Sequence, residues 1–313
     1  MSLELVSLSP VQALGIPVAL VGSVFLALGA QYQHRGVNKV EAASSTDARN
    51  GLRSGQLLSL LRRPSWIAGT LMLALAIILQ LISLFLAPLT VVQPLGAVAL
   101  VITAVLNARA TKTRLSAFTI RAIAFCVGGI ALFVTVAAFT TTSLPIGTVQ
   151  LRIVLIILAC VLAALGAAFG LFRQKVTTIF YIVAAGVLFG FVATLAKVII
   201  DRVHTLLQTG YRLAPGDGLV FLCLIGIIAA ALLGSYFVQT AYSSGPPDLV
   251  VAGLTVIDPM IGVTIGIVVL GEATHAPLWA IAAFVAAGAL AVFGVFQLSS
   301  RPERQLPQPI SPH

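Results

Sequence analysis

The chain has 313 residues, of which 59% are hydrophobic and only 9% are charged, and its mean hydropathy is +1.09. A soluble domain carries about 25% charged residues, so this composition excludes a soluble globular protein. The net charge of +9 comes from basic residues that lie between apolar runs rather than in one block, which argues against nucleic acid as a partner. We predict an all-α polytopic membrane protein whose main partner is the lipid bilayer.

Apolar runs long enough to cross a bilayer as helices recur along the whole chain. The predicted helices cover residues 11–32, 65–86, 89–108, 117–138, 150–172, 178–200, 218–242, 249–270 and 277–298. The first run has no basic residue before it and is too long for a signal peptide, so we expect it to be retained. We predict one transmembrane domain over residues 1–298, followed by a proline-rich, disordered tail over 299–313.

The connections between these helices alternate in charge. Those after helices 1, 3 and 5, together with the tail, hold 13 basic residues, whereas the opposite side holds two, Arg202 and Arg212. The positive-inside rule therefore predicts an external N-terminus, a cytoplasmic loop over 33–63 and a cytoplasmic C-terminus, with the plasma (inner) membrane as the expected location. At the outer end of helix 6, Lys197 and Asp201 lie four residues apart, and we expect them to form an ion pair.

Asp258 is the one charged side chain in residues 249–270. A carboxylate at that depth costs about 2.5–3.5 kcal/mol on insertion scales, so it is seldom present without a partner or a use. Its surroundings, Thr255-Val-Ile-Asp-Pro-Met260, repeat the pattern of Thr90-Val-Val-Gln-Pro-Leu95 at an offset of 165 residues. The same polar residue followed by proline thus occurs twice, in two apolar segments.

The repetition extends upstream of these strings. Gln80 precedes Pro88 by eight residues, and Gln239 precedes Pro247 by eight. Predicted helices 2 and 3 therefore correspond to helices 7 and 8, five helices later, and an odd offset means that the two copies cross the membrane in opposite directions. We predict an inverted-topology repeat, with a first copy over about 11–138 and a second over about 150–298, as in alternating-access transporters.

The two prolines give this repeat its chemistry. Each removes one backbone donor and frees a carbonyl one turn earlier, and such groups are tolerated in a membrane where protein covers them or where they line a wet cavity. We expect Pro94 and Pro259 to face each other at mid-depth, with Gln93 and Asp258 directed to one central cavity. The alternative is a structural kink in which Asp258 pairs with a neighbouring hydroxyl or amide.

Several polar residues near the helix ends are candidates for a rim or gate. Glu272 and His275 follow helix 8 at its outer end, either as a solvated loop pair or as a gate, and Asn107 lies at the repeat position of Glu272. Gln80 and Gln239 are the other rim candidates. Three pairs of glycines spaced by four residues indicate close helix packing within the chain, with a homodimer as the alternative.

These strings resemble the drug/metabolite transporter superfamily. Thr255 to Gly262, running on to Leu270-Gly-Glu272, is similar to the proline-centred helix and Leu-Gly-Glu turn of that superfamily. Ala87-Pro-Leu-Thr-Val-Val-Gln-Pro-Leu-Gly96 resembles the nine-helix branch that contains the NIPA-type magnesium transporters. The resemblance implies a solute carrier with its path between the repeats. The residues implied to line that path are Thr90, Gln93, Pro94, Thr255, Asp258 and Pro259.

Three functions remain open at this point. The first is a proton- or ion-coupled carrier of a small organic solute, in which Asp258 takes up and releases a proton. The second is a magnesium or other divalent-cation transporter, with Asp258 as the candidate metal ligand. The third is a membrane scaffold, or an intramembrane enzyme, although no catalytic motif appears. We expect no enzyme activity and no resident cofactor; a proton or Mg²⁺ would be coupling ion or substrate.

Overall fold

The structure is a computed structural model that describes residues 8–43, 63–110, 116–172, 177–208, 218–244 and 247–299. Within these residues every regular element is a helix, and nine segments are long and apolar enough to cross a membrane. The prediction of an all-α membrane protein with about nine spanning helices is therefore confirmed. The predicted tail over 299–313 lies outside the described residues apart from Ser299.

The helices are labelled in chain order, and their bounds agree with the predicted ones to within a few residues at most ends. They are α1 Pro10–Ala13, α2 Gly15–Ala43, α3 Pro64–Leu86, α4 Leu89–Gly96, α5 Val98–Ala110, α6 Ala117–Thr140, α7 Thr148–Phe172, α8 Thr178–Gln208, α9 Gly218–Ser244, α10 Pro247–Val268 and α11 Leu278–Ser299.

Local sequence signals begin several of these helices. Ser9 and Gln12 form a capping box at the start of α1, in which each side chain bonds to the backbone of the other residue. Ser116 caps α6 by accepting a hydrogen bond from the Thr119 amide. Pro64 occupies the first position of α3, where a missing backbone donor costs nothing.

Two helices are longer than the apolar pattern predicted. The predicted cytoplasmic loop over 33–63 is partly wrong, because α2 continues as a helix to Ala43; residues 44–62 lie outside the described part of the chain. Likewise α8 runs to Gln208 rather than ending at 200. In both places the added residues contain no proline, so nothing in the sequence stops the backbone from continuing as a helix after hydrophobicity falls.

The two proline-containing segments differ in shape. The third predicted helix is divided into α4 and α5 by a turn at Ala97, three residues after Pro94, where the hydrogen bonds tighten to a spacing of three residues. In contrast, Pro259 lies inside a continuous α10. The expected proline interruption is therefore present in the first segment only.

The helices pack in two similar sets. In one, α2 packs against α3 and against α4–α5; in the other, α8 packs against α9 and against α10. The short helix α4 crosses α10 at the centre, and α6 packs against α11. At the periphery, α7 makes few contacts, and a Cβ atom added at its Gly166 or Gly170 would meet nothing within 4 Å. The fold therefore brings the two proline helices together in the interior.

Candidate functional site at the crossing of α4 and α10

Two glycines allow α4 and α10 to approach closely. A Cβ atom at Gly262 would lie 2.8 Å from Cγ of Gln93, and one at Gly266 would lie 2.8 Å from the Thr90 hydroxyl. The Gly-xxx-Gly pair on α10 is thus the surface on which α4 rests, as expected for close packing within the chain. It also fixes which polar residues of the two helices face each other.

A second glycine pair holds the adjacent face of α10 against α8. Cβ atoms at Gly186 and Gly190 would lie 2.7 Å from the side chains of Ile257 and Ile261. Since successive residues of a helix are 100° apart, Asp258 lies on α10 between the stripe facing α8 and the stripe facing α4. The acid is therefore placed where three helices meet.

Gln93 and Asp258 each carry one enclosed polar atom at this junction that has no hydrogen-bond partner in the described part of the chain. Only 5% of Gln93 is exposed. Its Nε2 atom and the Oδ1 atom of Asp258 are both enclosed, and neither has a partner among the described residues. A buried polar group left unpaired costs about 1–3 kcal/mol, so the junction carries two groups that a ligand could satisfy.

A cavity of about 90 Å³ opens beside this junction. Pro94, Thr255 and Pro259, three of the predicted path residues, line it, and apolar side chains of α6 and α11 complete its wall. Gln93 and Asp258 flank the cavity and are not part of its lining, so the structure separates the proline-lined space from the two polar groups.

Glu272 caps the first turn of α4. Its carboxylate accepts hydrogen bonds from the amides of Leu89 and Thr90 at 2.7 and 2.8 Å, and from the Thr90 hydroxyl at 2.6 Å. Only 3% of Glu272 is exposed, whereas His275 is exposed. The interpretation of this pair as a solvated loop pair is therefore wrong for Glu272, because a carboxylate at a helix N-terminus satisfies otherwise unpaired amides.

Backbone geometry delivers Glu272 to this position. Gly271 has a φ of 72°, in the left-handed region that glycine adopts without strain. The turn that follows α10 directs the Glu272 amide to the Gly266 carbonyl at 3.0 Å, and the side chain returns toward α4. Burial raises the pKa of Glu272 above its usual value, while hydrogen bonds from Thr90 and Leu89 and the charge of Lys197 act in the opposite direction.

Lys197 is the functional candidate that sequence reasoning missed. Its ammonium group donates to the carbonyls of Leu84 and Ala87 at 2.6 and 2.9 Å and to the Ser143 hydroxyl at 3.1 Å. Only 3% of the residue is exposed. The signal available in the sequence was a lysine followed by three apolar residues, at a position too deep for a solvated side chain.

The expected pairing of Lys197 with Asp201 is therefore replaced by other contacts. Asp201 instead accepts a hydrogen bond from the Ile146 amide at 2.8 Å, in the connection between α6 and α7. A spacing of four residues on a helix allows an ion pair. A buried ammonium group must nevertheless be hydrogen-bonded, and the carbonyls at the end of α3 meet that need for Lys197.

The remaining rim candidates do not reach this site. Gln80 is half-buried, Gln239 is exposed, and Asn107 is exposed near the end of α5. Of the predicted path residues, Thr90 bonds to Glu272 and does not line the cavity. Within the described residues no group of three or more His, Cys, Asp or Glu side chains could hold a metal ion.

A model of the magnesium transporter NIPA family matches residues 11–298. The chain belongs to this family. An uncharacterized protein of Corynebacterium glutamicum, Cgl0250/cg0304, is 27% identical over 267 residues, which cover 85% of this chain and 88% of the relative. No solved structure matches the chain. This NIPA-family protein is thus a membrane transporter, as the resemblance of its proline strings implied.

Proposed function

We propose that this NIPA-family protein is a secondary transporter that moves a small solute between two inverted repeats by alternating access, with Asp258 at its central site and no enzyme activity. The observation that carries the proposal is the buried, unpaired pair of polar atoms, Gln93 Nε2 and Asp258 Oδ1, beside a cavity lined by both repeat prolines. A buried donor and a buried acceptor without partners fit a site that a solute completes.

The proposed repeat is supported by sequence and by packing. The Thr90 and Thr255 strings share their pattern, and the helices that contain them contact corresponding neighbours: α4–α5 packs on α2 as α10 packs on α8, and α4 packs on α6 as α10 packs on α11. In this proposal the solute passes where α4 and α10 cross. Both access states would be made by rocking one set of helices against the other.

Asp258 is proposed as the residue that couples transport to an ion. A carboxylate enclosed among three helices can be neutralised by taking up a proton, and it can ionise again when the cavity opens to water. The described residues bring no second carboxylate to the junction, because Glu272 is engaged at the start of α4. A small organic solute with coupled proton movement is the function that this geometry favours.

Magnesium is the second candidate, favoured by the family to which the chain belongs. Mg²⁺ keeps several of its waters and is commonly held by one or two carboxylates, so Asp258 with backbone carbonyls near the prolines could receive a largely hydrated ion. Under this proposal Mg²⁺ is the substrate.

Flux into proteoliposomes tests the proposal and separates the two substrates. Wild-type protein is assayed with Mg²⁺ and, separately, with a panel of organic solutes, each with and without a proton gradient. We expect Asp258→Asn to abolish transport or to make it insensitive to the gradient. Thr264→Val, on the exposed face of the same helix, is the matched control and should transport normally. Wild-type protein that moves no solute would instead support the scaffold alternative.

We also propose that the N-terminus is external and the C-terminus cytoplasmic, in the plasma (inner) membrane. The connection after α3, the segment between α6 and α7, the end of α8 and the turn after α10 meet at one end of the bundle, as four outer-side segments should. A homodimer stays a prediction: the glycine pairs of α8 and α10 are used within the chain, and the α7 pair faces outward.

A further inference from the structure

A set of hydrogen bonds joins the two halves of this protein at one end. We define the first half as residues 8–140 and the second half as residues 178–299. Glu272 and Lys197, both of the second half, bond to the backbone and to the Thr90 hydroxyl of the first. The Glu272 carbonyl also accepts from the Thr142 amide, in the connection between the halves. A set of polar contacts therefore closes this end.

Glu272 and Lys197 hold the same corner of the first half from its two sides. Lys197 binds the carbonyls of Leu84 and Ala87 as α3 ends, and Glu272 binds the amides that begin α4. Each charge thus meets the helix end of opposite partial charge. The corner between α3 and α4, which contains Pro88, is clamped by two buried ions; we call this arrangement the corner clamp.

The carboxylate of the corner clamp has a neutral counterpart under the proposed repeat. At the offset of 165 residues that relates Thr90 to Thr255, Glu272 corresponds to Asn107. Midway, the two halves meet across an apolar cavity. The charge of Glu272 at the clamped end is therefore not repeated at its counterpart position.

We propose that Glu272 and Lys197 form the gate that closes the transport path at this end, and that opening the path requires both to release the α3–α4 corner. This inference rests on the proposed alternating-access function. Because Glu272 and Lys197 both hold the α3–α4 corner in this structure, the protein rests with the clamped end shut and with its cavity facing the other side. Solute binding between Gln93 and Asp258 would have to offset the loss of these contacts before the clamped end opens.

Cysteine accessibility tests the gate without requiring a known substrate. Ala97 lines the cavity, so Ala97→Cys reports its exposure in a background in which the native Cys126, Cys160 and Cys223 are replaced by serine or alanine. His275→Cys, exposed on the turn beside the clamp, identifies in a separate sample the membrane side on which the clamp lies. A membrane-impermeant maleimide is then applied from each side.

We expect slow labelling of Ala97→Cys from the clamp side in the otherwise unaltered protein. Addition of Glu272→Gln or Lys197→Met should raise that rate by about tenfold or more and lower the rate from the opposite side, because a population shift has both effects. The control His275→Gln should leave both rates unchanged. Equal rates with and without Glu272→Gln, in protein that is folded and monodisperse, would overturn the gate.

A second variant and a crosslink keep the test decisive if Glu272→Gln does not fold. Glu272→Asp retains the charge but is one methylene shorter, so we expect a smaller increase in labelling from the clamp side. The pair Thr142→Cys and Ala273→Cys, which flanks the bond between the Thr142 amide and the Glu272 carbonyl, is to be linked by a reducible crosslinker. Flux should stop on linking and return on reduction.

The outcomes distinguish the gate from the proposed function beneath it. If the wild-type protein moves no solute, the transport proposal fails. If the wild-type protein transports and the crosslinked protein transports equally well, the path stays open with the clamp shut, and the gate fails while the transport proposal stands. A clamp that serves only to stabilise the fold would alter unfolding without altering the sidedness of Ala97→Cys labelling.

Discussion

The corner clamp and the α4–α10 crossing are two buried polar regions of one protein with opposite hydrogen-bonding states. At the clamp, the side chains of Glu272 and Lys197 make three hydrogen bonds each. At the crossing, Gln93 Nε2 and Asp258 Oδ1 have none. Buried polar groups with all their hydrogen bonds hold a structure in place, whereas buried polar atoms without partners lower stability until a ligand pairs with them. In the functions proposed above, the clamp serves closure and the crossing receives the solute.

The comparison predicts its largest effect for removal of one member of the clamp. Glu272→Ala leaves two α4 amides unpaired and removes one of the two carboxylates whose charge acts on Lys197, so we expect the free energy of unfolding to fall by about 3–5 kcal/mol. Unfolding in mixed micelles of a mild and a denaturing detergent measures this free energy. The neighbouring variant His275→Ala should stay within about 0.5 kcal/mol of the parent protein; an equal loss in both variants would show that the whole turn, and not the carboxylate, is responsible.

Removal of both clamp charges should cost less than the two single changes predict. Lys197→Met and Glu272→Leu replace the ions with apolar side chains of similar size, which avoids an isolated buried charge. We expect the double variant to be more stable than the sum of the singles by about 1–3 kcal/mol, measured as a double-mutant cycle. Strict additivity would mean that each ion interacts with its helix end alone and not with the other ion.

Close packing at the crossing predicts the next effect. In Gly266→Ala the new Cβ would lie 2.8 Å from both Oε2 of Glu272 and the Thr90 hydroxyl, and overpacking of this kind costs about 1–3 kcal/mol. Gly166→Ala on α7 is the matched control, since nothing lies within 4 Å of its Cβ. The Gly166→Ala variant should be as stable as the parent protein or slightly more stable. A comparable loss of stability in this control would show that another helix packs against α7 at Gly166.

The smallest expected change in stability is an increase rather than a loss. Asp258→Asn replaces a partly buried carboxylate, whose enclosed Oδ1 has no partner within the described residues, with a neutral amide. We therefore expect stability to stay equal or to rise by about 1 kcal/mol while solute flux is lost. Thermal unfolding in detergent and proteoliposome flux measure the two quantities. A marked loss of stability would show that Asp258 has a structural partner, as in the alternative of a structural kink.

Much of this fold could be predicted from the sequence, because the apolar runs state the spans directly. Nine spans were expected and nine are found in the described residues, and the meeting of Pro94 and Pro259 at one cavity follows from the repeated strings. The ends of α2 and α8 could not be predicted, because both helices continue beyond their apolar runs and hydrophobicity does not indicate where a polar helix ends.

The partners of Glu272 and Lys197 lay beyond prediction for a different reason. Each side chain bonds to backbone groups more than 100 residues away, at a corner that exists only after α3, α4, α8 and α10 have packed. In a sequence, a charge near the end of an apolar run indicates solvent. Only the tertiary structure shows that such a charge can instead serve the exposed amides or carbonyls of another helix.

One achiral residue shapes the turn that carries Glu272. Gly271 directly precedes that carboxylate, and its φ of 72° aims the following side chain at α4. An L-amino acid there would be strained in that left-handed geometry, so under the proposed gate the handedness of the backbone at a single α-carbon contributes to how firmly the passage is sealed.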